Sequence, residues 1–63
     1  MDKLTNRRKY YGLSQRQVAD RAWISPSEYN YVERGLKLPN VLIAIRIARV
    51  LKTTVEDLWG EER

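Results

Sequence analysis

The chain has 63 residues, 43% of them hydrophobic and 32% charged, with 12 Lys plus Arg against 8 Asp plus Glu and a formal net charge of +4. That size supports one small domain over residues 1–63 with a thin stability margin, and the balance is that of a folded chain rather than a disordered one. Cys and His are both absent, which excludes a disulfide framework, a thiolate zinc site, a thiol nucleophile and the commonest general base and metal ligand.

The opening residues lack the apolar h-region of a signal peptide. Leu4 and Tyr11, with Tyr10 beside it, give helical spacing up to Gly12, which tolerates φ > 0 and stops a helix. Ser14-Gln15-Arg16-Gln17 is a capping box, and Val18, Ala19 and Ala22 follow it at helical spacing. Ser25-Pro26-Ser27-Glu28 offers an N-cap, Pro at the first helical position and a carboxylate at the third, again a capping box. Tyr29 and Val32 form the apolar stripe of that helix, and Gly35 ends it. Asn40 caps the run Val41 to Leu51, apolar apart from Arg46 and Arg49. This run reads as the central buried helix, and it is too short to cross a bilayer. Thr54-Val55-Glu56-Asp57 opens a short last helix with early acidic residues suited to the positive helix end. It stops at Gly60, and Glu61-Glu62-Arg63 is expected to fray. No alternating β-branched run competes, so the prediction is an all-α, compact five-helix domain. Tyr10, Tyr11, Tyr29 and Trp59 read as core or core edge, and Lys3, Arg7 and Lys9 as a solvated helix face.

Residues 1–40 carry eight basic and four acidic side chains, whereas residues 41–63 carry four of each. The whole excess lies in the first part, which points to an anionic partner on one side of the domain and packing on the other. Helices two and three are joined only by Trp23-Ile24 before the Ser25 cap. So short a joint favours a steep crossing, a helix-turn-helix over about residues 14–34, in which one face of the second helix stays free. At about 100° per residue, Tyr29, Val32 and Glu33 share the inward arc. Ser27, Asn30, Tyr31 and Arg34 lie opposite, with Glu28 on one flank and Pro26 on the other. This outward row suits base edges and phosphates: Asn pairs bidentately with adenine, Arg with guanine, and an aromatic edge meets a thymine methyl.

The segment GLSQRQVADRAWISPSEYNYVERG resembles the core of the phage-repressor/Cro-like (Xre-type) helix-turn-helix proteins. Leu4 and Arg8 match the family's Leu-x-x-x-Arg, Val18-Ala19 its Leu-Ala, and Glu33-Arg34-Gly35 its Glu-Arg-Gly. Pro39-Asn40, Ile47-Ala48 and Thr54 to Leu58 match its later motifs in order. The resemblance implies a lambda-repressor-like DNA-binding domain, with helix three in the major groove and a homodimer on two half-sites of double-stranded operator DNA about one turn apart. It also implies Ser27, Glu28 and Tyr31 as base readers, which Asn30 joins from the outward row. Gln15, Arg16, Arg34 and Lys37 are implied near phosphate, and Arg8–Glu33 as an internal ion pair locking helix one to helix three. Several positions depart from the pattern. Trp23 and Lys52 replace customary glycines. A non-Gly residue at the Trp23 turn costs about 1 kcal/mol, so either the turn is reshaped or the indole packs in compensation. Pro26 removes one possible contact, and Glu28 is acidic where DNA would approach.

Leu36, Leu38 and Leu42 exceed what one small core accommodates, and with Val55, Leu58 and Trp59 they read as a dimer interface. The serines lack a base, and the carboxylate pairs are sequence neighbours that do not face one another, so no enzyme is expected. The expected function is that of a small stand-alone transcriptional repressor, cytoplasmic and nucleoid-associated, with no cofactor, no metal and no membrane partner. The rival reading is a protein-interaction module on the same fold, an antitoxin or adaptor, kept alive by Trp23, Pro26 and Glu28.

Overall fold

A computed structural model describes residues 2–60; Met1 and the Glu61-Glu62-Arg63 segment lie outside the described residues. Five helices follow one another with no strand among the described residues: α1 Asp2–Tyr10, α2 Gln15–Ala22, α3 Pro26–Glu33, α4 Val41–Val50 and α5 Val55–Trp59. Their starts obey local chemistry. Ser14, Ser25, Asn40 and Thr54 sit in extended backbone, and each side chain accepts from the N–H three residues on. A cap of this kind stabilises a helix by about 1 kcal/mol. Ser14 and Gln17 form the full reciprocal box. The box predicted for α3 closes on one side only: Ser25 Oγ accepts from the Glu28 N–H, while the Glu28 carboxylate turns to Lys37 Nζ at 3.1 Å. Pairing with a cation outweighs a second bond to a neutral amide.

Four helices end the same way. In α1 the Leu13 N–H reaches the Arg8 carbonyl and the Gly12 N–H the Lys9 carbonyl, and the same two-bond closure recurs at Trp23-Ile24, Gly35-Leu36 and Lys52-Thr53. This is the Schellman motif, which needs a left-handed residue at its corner. Gly12 and Gly35 supply it at φ 69 and 77, but Trp23 at φ 64 and Lys52 at φ 58 do so against Cβ–carbonyl repulsion. The turn at Trp23 is therefore not reshaped. Its indole, 76% exposed, is not buried in compensation either; it lies under the Arg46 guanidinium at 4.4 Å.

α2 is central, packing against both α3 and α4, while α1 leans on α3 and α5 on α4. Leu4, Val18, Ala19, Ala22, Tyr29, Val32, Ile47, Ala48, Leu51 and Leu58 form one buried cluster. Three expectations are corrected here. Leu58, placed beforehand in a dimer interface, is 2% exposed and closes the core from α5, where burial stabilises by about 1.5–3 kcal/mol. Tyr10, expected at the core edge, is 80% exposed and only edges onto Tyr11. α4 is amphipathic rather than wholly buried: Ala44, Ile47 and Ala48 face inward, and Val41 and Leu42 are exposed.

The solvated face expected of α1 holds for Lys3 and Lys9, which are exposed, and not for Arg7, which is half-buried. Arg7 spans to the far end of the chain, donating from Nε to the Leu51 carbonyl at 3.0 Å and from Nη2 to the Lys52 carbonyl at 2.8 Å. It thereby satisfies carbonyls that the end of α4 leaves without a helical partner. Lys3 does likewise to the Asp57 carbonyl of α5. No helix among the described residues is long and apolar enough to cross a membrane.

Candidate nucleic-acid interface

The free face of α3 is set by what its other face buries. Tyr29 and Val32 are fully buried and Glu33 nearly so, which turns Ser27, Tyr31 and Arg34 outward. With Pro26 and Asn30 these side chains line a shallow groove of about 340 Å³. Tyr31 is 49% exposed, so its ring stands clear of the core.

Behind this face lies a polar network that ties three helices together. Glu33 of α3 accepts from Arg8 of α1 at both oxygens, Nε to Oε2 at 2.7 Å and Nη2 to Oε1 at 3.0 Å. Gln15 Nε2 of α2 adds a bond to Oε1 and Tyr29 Oη one to Oε2, each at 2.8 Å. The Arg8 Nη1 donates onward to the Leu13 carbonyl at 2.9 Å. Burial pushes the Glu33 carboxyl up. The bonds donated by Arg8, Gln15 and Tyr29, with the Arg8 charge, outweigh it and hold the group down at about 2 against an ordinary 4.5. The bond to Glu33 raises Arg8 above its ordinary value, and burial first, then Glu33, raises the Tyr29 hydroxyl.

The network reaches the outward face through one residue. Asn30 Nδ2 donates to Gln15 Oε1 at 3.1 Å, and Arg34 Nη1 approaches Asn30 Oδ1 at 3.5 Å. Gln15, implied as a phosphate contact, therefore has both ends of its carboxamide engaged inside the domain. Asn30 is half-buried and faces Gln15 and Arg34, so Ser27, Tyr31 and Arg34 are the exposed members of the row. Lys37 and Glu28, implied as phosphate contact and base reader, are joined to each other. That exposed pair contributes no more than about 1 kcal/mol, so either partner is released readily. Arg16 is exposed at the start of α2 and has no hydrogen bond or ion pair with the described residues.

A second surface lies on the α4–α5 side. Leu36, Leu38 and Leu42 are 64%, 80% and 56% exposed. Leu38 joins Pro39, Val41, Ala44, Val55 and Trp59 around an apolar groove of about 180 Å³. Val55 and Trp59 are half-buried against the core, and the Trp59 indole N–H is buried with no hydrogen-bond partner among the described residues. Sequence reasoning missed Pro39, Val41 and Ala44 in this groove. Val41 is separable by periodicity, since it lies off the Ala44–Ile47–Ala48 stripe.

The helix-turn-helix family model matches residues 4–58. The cryptic phage CTXphi transcriptional repressor RstR of Vibrio cholerae is 34% identical over 59 residues, covering 94% of this chain and 53% of that protein. An uncharacterized HTH-type transcriptional regulator of Archaeoglobus fulgidus is 31% identical over 52 residues, covering 82% of this chain and 74% of that protein. The chain thus spans about half the length of the first of these relatives. No solved structure gives a significant match.

Proposed function

The chain belongs to the helix-turn-helix family of phage-repressor/Cro-like type, and from that premise we propose that residues 1–63 form one domain that binds double-stranded DNA and regulates transcription as a repressor. The observation that carries this reading is the face of α3: a polar and aromatic row lining an open groove and braced from behind by the Arg8–Glu33–Gln15–Asn30 network. A helix so held enters a major groove without first paying to be ordered. Ser27 and Tyr31 are the principal base readers, Asn30 a third held in orientation by Gln15, and Arg34, Arg16 and Lys37 meet phosphate. Until contact Glu28 is paired with Lys37, which offsets its repulsion of the approaching duplex. It adds cytosine readout when Lys37 moves to the backbone.

Two copies bind two half-sites about one DNA turn apart. Leu38 and Val41, with the exposed edges of Val55 and Trp59, supply the contact between copies, flanked by Leu36 and Leu42; Leu58 has no part in it. Of the features that favoured an interaction module, Pro26 serves as the first helical residue and wall of the groove, and Glu28 has its partner. Only Trp23 is left over.

Selection of sites from random duplex DNA tests the reading. The expected product is a pair of related half-sites whose affinity falls steeply with salt, the slope losing about one unit in Arg34→Ala. Undetectable binding to random and genomic duplexes at low salt would end it.

A further inference from the structure

Trp23 does not stand alone. Arg21, Arg46, Arg49 and Val50 surround it in a groove of about 250 Å³ on the seam between α2 and α4. No residue of α3 lines this groove, and it shares no residue with the one on the outward face of α3. Three arginines line this one groove, none in an ion pair with a described carboxylate, although Asp20 is the neighbour of Arg21 in sequence and exposed. Uncompensated like charges repel, and the left-handed backbone at Trp23 is strained where glycine would be relaxed. Both costs fall on the same few residues.

We propose that this groove is a binding site for a nucleotide, a phosphate ester joined to a planar base. The indole has one face under Arg46 and is 76% exposed, so a base stacks on its other side. Three arginines overmatch a single carboxylate but suit a phosphate, which carries about −1.5 to −2 charge and three acceptor oxygens. Arg21 and Arg49 take the phosphate, while Arg46 stays stacked and adds charge. The volume fits one base with its phosphate rather than a folded partner, whose interface needs roughly 800 Å² per side. The site is independent of the DNA-binding reading, because α3 contributes nothing to it.

The test is nuclear magnetic resonance on the wild-type protein, following the Trp23 indole N–H and the Nε–H signals of Arg21, Arg46 and Arg49. The probes are AMP, GMP, adenosine, inorganic phosphate, a single-stranded oligonucleotide and a Glu-rich peptide, all at matched ionic strength. Mononucleotides are expected to give saturable shifts at these four residues with a Kd below about 1 mM. Adenosine and inorganic phosphate are each expected at least tenfold weaker, and Arg49→Ala to weaken AMP about tenfold. Trp23→Gly, which relaxes the backbone and so folds, should bind AMP no better than phosphate. If the oligonucleotide shifts the same signals as strongly as AMP, the site takes its nucleotides from a strand; if AMP alone does, it takes free ones. No saturable shift with AMP or GMP, shifts equal to those of added chloride, or saturation by the Glu-rich peptide alone would each overturn the proposal.

Discussion

The Glu33 carboxylate offers the sharpest quantitative test of how the domain is held together. Glu33→Gln keeps the shape of the side chain but removes its charge, and its amide presents donors where Arg8, Gln15 and Tyr29 already donate. The folded carboxyl stands at about 2 against an ordinary 4.5, and at 1.36 kcal/mol per unit this corresponds to about 3 kcal/mol of stability. The side chain is only 5% exposed, so solvent screening removes little of it. The folded value is depressed, so the contribution is complete above pH 4.5 and is lost as pH falls towards 2. A chain of this length has a total stability of roughly 3–9 kcal/mol. The variant will therefore sit near its unfolding threshold at pH 7 and is best measured with sulfate present to favour burial. Urea unfolding followed by far-ultraviolet circular dichroism, from pH 7 down to 2.5, gives the comparison. Wild type and variant should differ by about 3 kcal/mol at pH 7 and converge steadily below pH 4.5. A difference under about 1 kcal/mol at pH 7, or one that does not change with pH, would refute the reasoning.

Lys52→Gly should raise Tm by about 3–6 °C, because the relief of left-handed strain exceeds, by about 0.5–1 kcal/mol, the added freedom of the unfolded chain together with the loss of the exposed Lys52 ammonium from its place 5.9 Å from the Tyr11 ring centre. Trp23→Gly relieves the same strain but loses the Arg46 stack, so its Tm should move by less than about 3 °C; calorimetry on both separates the two contributions. Arg7→Ala should cost about 2 kcal/mol in urea unfolding by freeing the Leu51 and Lys52 carbonyls, against no more than about 0.5 kcal/mol for Lys9→Ala on the same helix. Leu38→Asp should convert a dimer to a monomer in sedimentation while the monomer's stability changes by less than about 0.5 kcal/mol. A wild-type monomer well above micromolar concentration would remove the dimer from the proposal.

What could be read from the sequence was local in range. Each helix start rests on a side chain reaching an N–H three residues away, so Ser14, Ser25, Asn40 and Thr54 announce themselves. The arc of α3 follows from rotation alone, which placed Tyr29, Val32 and Glu33 inside. Arg7 was not legible, because its partners lie 44 and 45 positions away and only the packing of α1 beside the end of α4 brings them near. Leu58 was misassigned for a related reason. A five-residue helix offers too few turns for its pattern to separate an inward residue from an outward one. The glycine-like corners at Trp23 and Lys52 could be read only as departures from a pattern; their backbone angles follow from the Schellman closure, which is blind to the side chain carried there.

The network behind α3 joins stability to recognition through one residue, Gln15. Its amide donates to Glu33 and its carbonyl accepts from Asn30, so the carboxylate that locks α1 to α3 also fixes the orientation of a side chain on the outward face. Glu33→Gln and Gln15→Ala should therefore differ in kind. The first removes charge from the lock and weakens folding and DNA binding together. The second leaves the two Arg8–Glu33 bonds in place, costs about 1 kcal/mol of stability, and frees Asn30 to rotate. If Asn30 reads a base, Gln15→Ala should then relax sequence preference at one position of each half-site while affinity for non-specific duplex stays unchanged. A uniform loss across all sequences would instead make Gln15 a phosphate contact, and Asn30 a structural residue with no part in readout.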